Sequence, residues 1–219
     1  MLRAVIFDMD GTLGDTLPLC VEAYQRCGQD VTGVRPEASE VTRHFGVSDR
    51  GVLGALLGMS PDDPALPMAH LVEVYERLHP EFSTAPFEGV RELLPRLRSR
   101  GLKLGLISGK EDYTAVPTLK TYGLEGAFEW LGLGKPTHNC KAERLREAMA
   151  FWHLQAQEML YVGDAPSDIT QCREVGVPIV SAGWAPGAGE TEDACLALHP
   201  DYRLKHLCEL EPLIVHLLS

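Results

Sequence analysis

The chain has 219 residues, 45% of them hydrophobic and 23% charged, a composition typical of a globular protein with a buried core. Its formal net charge of −11 disfavours nucleic acid and anionic membranes as partners, because both are negatively charged. The apolar runs are too short to span a bilayer, no signal-peptide pattern begins the chain, and the six cysteines form no C-x-x-C pair, so we expect a cytoplasmic protein with reduced thiols.

An apolar run at residues 4–7 predicts a buried strand of a parallel sheet. It ends at Asp8 and Asp10, whose side chains point to the same side of an extended backbone and are crowded unless a cation joins them. The D-x-D-G string also fits a solvated acidic turn or the start of a calcium-binding EF-hand loop. The calcium loop needs glycine and glutamate where this chain has Leu13 and Leu19. The pattern therefore indicates a hard-metal site, provided that other residues complete it.

Residues 15–84 have helical periodicity and no strand pattern. A first helix is predicted from Asp15 or Thr16 to Gly28, and further helices over residues 37–45, 48–58 and 71–80. These short amphipathic helices predict a small helical cap domain, residues 15–84, inserted into a core formed by residues 1–14 and 85–219.

From residue 87 onwards, predicted helices and strands alternate. The helices cover residues 89–100, 112–122, 141–153, 168–175 and 206–218, and the strands cover residues 102–107, 128–131, 159–162 and 177–181. This order predicts an α/β fold, a doubly wound and mostly parallel Rossmann-like sheet with right-handed crossovers.

Three predicted strands end in polar residues. The first ends at Asp8, the second runs into Ser108-Gly109-Lys110, and the third runs into Gly163-Asp164. In an open α/β sheet the carboxyl ends of the strands form one edge, where ligands bind. We expect these segments to form one site, with Lys110 on its rim.

This set of residues suits phosphoryl transfer. Asp8 is a candidate nucleophile toward phosphorus, and Asp10 a candidate proton donor to the leaving oxygen. Asp164 would join Asp8 on Mg²⁺, and Asp168 would help to hold the ion or its water ligands. The metal-site prediction thus comprises Asp8, Asp10, Asp164 and Asp168.

The phosphate itself needs hydroxyl, amide and cationic partners. Thr12, Ser108 and Gly109 are candidates for the first two roles. For the cation, Lys141 opens the helix before the third strand and is preferred over Lys135, which is consistent with a solvated loop lysine.

The segments DMDGTLGDT, LISGK, a loop lysine and VGDAPSD, in this order, resemble the haloacid dehalogenase superfamily. The helical insertion after the first segment resembles its helical-cap subfamily, which includes phosphoglycolate phosphatases. The resemblance implies Asp8 as nucleophile, Asp10 as general acid and base, and Ser108 and Lys141 as phosphate-binding groups. It also implies that Asp8, Asp164 and the backbone carbonyl of Asp10 bind magnesium.

The chain departs from the family pattern at two glycines. Gly14 stands where the family usually has a bulky apolar residue, and Gly109 where it often has asparagine. Neither departure removes a catalytic group.

The presence of Asp10 favours phosphate-ester chemistry over dehalogenation, which has no leaving alkoxide to protonate. Phosphonate cleavage would need a lysine in the cap, and residues 15–84 contain none. The sequence therefore predicts a magnesium-dependent phosphatase of small phosphorylated metabolites, phosphoglycolate among the candidates. A sugar-phosphate mutase is the enzymatic alternative, and a non-catalytic ligand-binding or partner-binding protein the other.

Substrate choice is expected to come from the cap, because the chemistry of the core is generic. Arg43, His44 and Arg50 are the candidates for binding the far end of an anionic substrate.

Overall fold

The computed structural model describes residues 1–186 and 188–218, apart from the side chain of residue 190. Its centre is a six-stranded sheet with the order β3-β2-β1-β4-β5-β6, in which every pairing is parallel. The strands are β1 (Ala4–Phe7), β2 (Lys103–Ile107), β3 (Trp130–Gly132), β4 (Met159–Gly163), β5 (Ile179–Ala182) and β6 (Tyr202–Leu204). Because β1 lies between β2 and β4, residues that follow β1 reach the middle of the carboxyl edge.

Helices cover both faces of the sheet. They are α5 (Val90–Ser99), α6 (Asp112–Thr121), α7 (Lys141–Trp152), α8 (Pro166–Val175), α9 (Ala188–Ala197) and α10 (Leu210–Leu218). Val5 and Phe7 of β1 pack in an apolar cluster with α5, α6 and α10, whereas Ala4 and Ile6 pack in another with α7 and α8. This division confirms the doubly wound α/β fold predicted from the sequence.

Four helices lie between β1 and β2 in the chain: α1 (Leu17–Thr32), α2 (Ala38–Thr42), α3 (Asp49–Leu57) and α4 (Met68–Phe82). They share an apolar cluster of their own, built around residues such as Leu19, Leu53 and Tyr75. We call this group of helices the cap. The domain boundaries at residues 14 and 84 remain a prediction, which the separate apolar cluster supports.

The first helix does not end at Gly28, contrary to the sequence-based expectation. It continues to Thr32 and ends at Gly33, which adopts the left-handed conformation with φ of 77°. A Cβ at Gly28 would lie 2.8 Å from the Pro36 ring, so this glycine allows close packing of the following connection. Gly28 is therefore a site of close packing inside the helix, not the end of the helix.

The end of the chain contains two elements that the sequence did not predict, β6 and α9. β6 has three half-buried residues, too few to form a recognisable apolar run. The last helix begins at Leu210, after a short 3₁₀ turn over Leu207–Glu209, rather than at residue 206. Within the described ranges, no helix is long and apolar enough to cross a membrane.

Candidate active site

The site begins where β1 ends. The Asp8 amide donates a hydrogen bond to Val162 O of β4 at 2.8 Å, so Asp8 lies beside the end of β4 and next to Asp164. The chain then turns at Gly11, which has φ of 76°. A Cβ there would lie 2.6 Å from Asp164 Cγ, so glycine is required both by the turn and by the neighbouring carboxylate.

Carboxylate oxygens of Asp8, Asp164 and Asp168 lie within 4.8 Å of one another, a grouping that could hold a metal ion. Asp168 is fully buried and is engaged at both oxygens, because Oδ1 accepts from Lys141 Nζ at 2.5 Å and Oδ2 from the Ala165 amide at 3.0 Å. Its geometry suits it to orienting its neighbours more than to direct metal binding.

Lys141 lies among the aspartates, at the start of α7. Its Nζ is 3.0 Å from Asp8 Oδ2 and 2.5 Å from Asp168 Oδ1, and its side chain is buried. Lys135 instead forms an ion pair with Glu143 at 2.5 Å, with more than a third of its side chain exposed. Of the two lysines considered for the site, the structure places Lys141 there.

Lys110 is also buried, and this was not evident from the sequence. Its Nζ lies 3.1 Å from Asp10 Oδ1 and 2.8 Å from Cys20 Sγ of α1. The ring of Tyr75 in α4 is 5.1 Å away, so two cap helices enclose the amine. The Thr16 hydroxyl donates a further hydrogen bond to Asp10 Oδ1.

The electrostatics of the site follow from this crowding. Burial raises the pKa of Asp8 well above its usual value, and the charges of Asp168, Asp164 and Asp10 add to the rise while Lys141 opposes it. Burial and the charge of Asp168 raise the pKa of Asp164 to about 7. Burial lowers the pKa of Lys141, but the negative charges of Asp168 and Asp8 outweigh this effect and hold the pKa well above the usual range.

Of the four residues predicted to bind phosphate, two line the cavity and two do not. Gly109 and Lys141 line the cavity above the aspartates. The Thr12 hydroxyl donates to Asp164 Oδ1 at 3.0 Å, and Ser108 Oγ accepts from the Lys110 amide at 3.1 Å. Both hydroxyls are buried and orient other residues of the site.

The cavity has a volume of about 430 Å³ and lies between the carboxyl edge of the sheet and the cap. Its floor and walls on the core side are formed by Asp8, Asp10, Gly109, Lys110, Asn139, Lys141, Asp164, Ala165, Pro166, Ser167 and Thr191. Its cap side is formed by Leu17, Cys20, Tyr24, Thr42, Phe45, Gly46, Val47, Asp49 and Val52.

The structure does not bring the cationic cap candidates to this cavity. Arg50 Nε donates to Glu111 Oε1 at 2.9 Å, which holds the guanidinium at the cap–core boundary. Arg43 Nε lies 3.2 Å from His44 Nε2, outside the cavity lining. The cap residues that do line it, Tyr24 and Asp49 among them, have no sequence motif, and only the packing of α1 against α3 assembles them.

A sequence profile of haloacid dehalogenase-like hydrolases matches residues 5–182. This match covers most of the chain and all three strand-end segments of the site. The chain belongs to the haloacid dehalogenase-like hydrolase family.

Relatives of known sequence span the whole chain. Phosphoglycolate phosphatase from Synechococcus elongatus is 28% identical over 217 residues, 99% of each chain. Pyrophosphatase PpaX from Bacillus pumilus is 26% identical over 211 residues, 95% of this chain and 94% of the relative. The crystal structure of CbbY from Rhodobacter sphaeroides in complex with phosphate has a TM-score of 0.77 at 17% identity and covers 96% of each chain, which shows that the fold is shared.

Proposed function

We propose that this protein is a magnesium-dependent phosphatase that hydrolyses phosphomonoesters of small metabolites. The observation that carries the proposal is the position of Asp8, which lies at the centre of the carboxyl edge, in contact with Lys141 and two residues before Asp10. The names of the two curated relatives, one a phosphoglycolate phosphatase and one a pyrophosphatase, support phosphate release as the reaction.

In this mechanism an Asp8 oxygen attacks phosphorus, and the bond from phosphorus to the ester oxygen breaks. Asp10 gives its proton to the leaving oxygen, which departs as a neutral alcohol. Asp10 then takes a proton from water as that water attacks the aspartyl-phosphate. Inorganic phosphate leaves, and Asp8 and Asp10 return to their starting states. Lys141 neutralises charge on the phosphoryl oxygens throughout.

The donor set fits Mg²⁺, because the site offers hard oxygen ligands and its four carboxylates exceed its two amines in charge. Asp8, Asp164 and the backbone carbonyl of Asp10 would hold the ion, and Asp168 would support it together with Lys141. When bound, magnesium would supply charge neutralisation for phosphoryl transfer.

The test is phosphate release from a generic phosphomonoester in the presence of Mg²⁺. We expect Asp8→Asn to lower kcat by about 10³-fold or more, because the amide cannot act as the nucleophile. Asp15→Asn changes an aspartate of the same segment outside the cavity lining and serves as the matched control. Removing divalent ions with a chelator should abolish the activity, and added Mg²⁺ should restore it.

Equal rates for wild type and Asp8→Asn would refute the assignment. The same assay addresses the mutase alternative, since a mutase converts a sugar phosphate to its isomer instead of releasing stoichiometric phosphate. Binding of phosphate and magnesium without turnover of any ester would indicate the non-catalytic alternative.

A further inference from the structure

The cap side of the cavity contains no positively charged residue. Its lining residues are mostly apolar, and none of those in the described part of the chain is lysine, arginine or histidine. Leu17 and Cys20 of α1, Phe45 and Val47 of the connection before α3, and Val52 of α3 present hydrocarbon, ring or thiol groups. This surface faces the position that the substrate's leaving group would occupy.

The cations that do line the cavity belong to its floor. Lys141 contacts Asp8 and Asp168, and the proposed reaction uses it on the transferred phosphate. Lys110 is 5% exposed, and its amine is already in contact with Asp10 Oδ1 and Cys20 Sγ. Neither amine is left as a dedicated partner for a second anionic group on the substrate.

The charge that the cap does contribute is negative. Asp49 lines the cavity and is 4% exposed. Its Oδ1 accepts from the Tyr24 hydroxyl at 2.8 Å, and its Oδ2 accepts from the Glu111 amide at 2.7 Å and the Thr114 hydroxyl at 2.8 Å. Three donors hold this carboxylate in place, so a substrate carboxylate or second phosphate would meet a fixed like charge in a desolvated wall.

We infer that the substrate is a phosphomonoester whose alcohol part is uncharged and largely apolar, such as an alkyl or aryl alcohol. This inference rests on the proposed function and deepens it by naming the substrate class. The cavity volume of about 430 Å³ is enough for a phosphate with an organic group of several carbons. The protein would then differ in specificity from the relatives named for phosphoglycolate, whose leaving group carries a carboxylate.

The test compares esters of matched shape with Mg²⁺ present. Isobutyl phosphate replaces the carboxylate of phosphoglycolate by an isopropyl group of similar shape, and benzyl phosphate carries a larger apolar group. We expect kcat/KM for both esters of uncharged alcohols to exceed that for phosphoglycolate by at least about tenfold. Differences of this size are usual when a pocket distinguishes substrates by one small group. The difference should lie mainly in KM.

A pair of variants on one helix tests whether the cap surface causes the preference. Leu17 lines the cavity and Val31 does not, and both are exposed apolar residues of α1, 37% and 47% exposed, so a lysine at either position costs little packing. Leu17→Lys should lower the ratio of kcat/KM for isobutyl phosphate to that for phosphoglycolate by at least about tenfold. Val31→Lys should leave the wild-type ratio unchanged.

Hydrolysis by the wild type with a preference for phosphoglycolate would overturn this inference and leave the proposed function standing. An unchanged ratio in Leu17→Lys would likewise overturn the role of the cap surface. No phosphate release from any ester, generic esters included, would instead refute the proposed function and this inference together.

Discussion

Gly14 shows how one missing side chain shapes the connection between β1 and the cap. The space next to it is filled by the buried ring of Tyr122, whose hydroxyl lies 2.5 Å from Ser83 Oγ. A Cβ at Gly14 would lie 2.5 Å from Tyr122 Cζ. The ring of Tyr122 thus occupies the space that a side chain at residue 14 would need.

We therefore predict that Gly14→Ala destabilises the protein by about 1–3 kcal/mol, the usual cost of overpacking a filled interior. The measurement is the free energy of unfolding from denaturant titration. Gly189→Ala is the control, because a Cβ at that helical position meets nothing within 4 Å. Equal stability of Gly14→Ala and wild type would show that the ring moves aside at no cost.

Among the elements, α4 and α6 join the cap to the core through a buried polar cluster. The Thr118 hydroxyl donates to Thr114 O at 2.8 Å, so it can only accept from its two other neighbours. The Tyr75 hydroxyl therefore donates to it at 2.7 Å, and His79 donates through Nε2 at 3.2 Å. This arrangement requires a proton on His79 Nε2, which the neutral Nε2–H tautomer and the imidazolium both carry.

The same contact predicts a pH dependence of stability. Burial lowers the pKa of His79 by more than backbone hydrogen bonds at His79 and Ser83 raise it, and the nearby charge of Lys110 lowers it further. Its other packed neighbours, Tyr75 and Tyr122, are neutral phenols near pH 7. The unfolded chain then binds a proton more readily than the native one. The free energy of unfolding should fall as the pH drops below the pKa of histidine in the unfolded chain, about 6.5. The fall should level off once the pH is below the pKa of His79 in the native protein.

The check is the slope of unfolding free energy between pH 7.5 and pH 5.5. His79→Gln keeps an N–H donor for Thr118 and cannot titrate, so its slope should be shallower than that of wild type. If the two slopes coincide, His79 does not contribute to acid sensitivity.

At the scale of the whole molecule, the meeting of the strand-end aspartates at one edge of the sheet was the easiest feature to predict. Asp8 and Asp164 each follow a buried apolar strand. The carboxyl ends of parallel strands lie at the same edge of the sheet, independent of the conformation of the loops. The burial of Lys110 could not be predicted in this way, because it depends on α1 and α4 closing over β2. The pairing of Arg50 with Glu111 joins residues 61 positions apart, and no local pattern signals it.

The cap and core also meet at the start of α3. The Ser48 amide donates to Lys135 O at 2.9 Å, and a Cβ on Gly51 would overlap the Pro136 carbonyl. Beside them, Asp49 accepts hydrogen bonds from Glu111 and Thr114 of the core. Asp49 therefore belongs both to the wall of the cavity and to the contact between cap and core.

We predict from this that Asp49→Ala destabilises the protein by about 3 kcal/mol, because it leaves buried donors on Glu111, Thr114 and Tyr24 without their acceptor. Asp49→Asn keeps part of the acceptor capacity and should lose less. Asp62→Ala, an exposed aspartate in the connection after α3, should change stability by about 0.5 kcal/mol at most.

Thermal and denaturant unfolding of these variants measures the effect on stability, and phosphate release measures the effect on activity. A cap that has lost this contact closes less often over the site, so Asp49→Ala should also raise KM for esters of uncharged alcohols. The rise should be smaller for phosphoglycolate, whose carboxylate no longer meets the charge of Asp49. Asp49→Ala with the stability and KM of Asp62→Ala would show that the carboxylate does not join cap to core. A fall in KM for phosphoglycolate without any loss of stability would instead place the effect of Asp49 on the substrate alone.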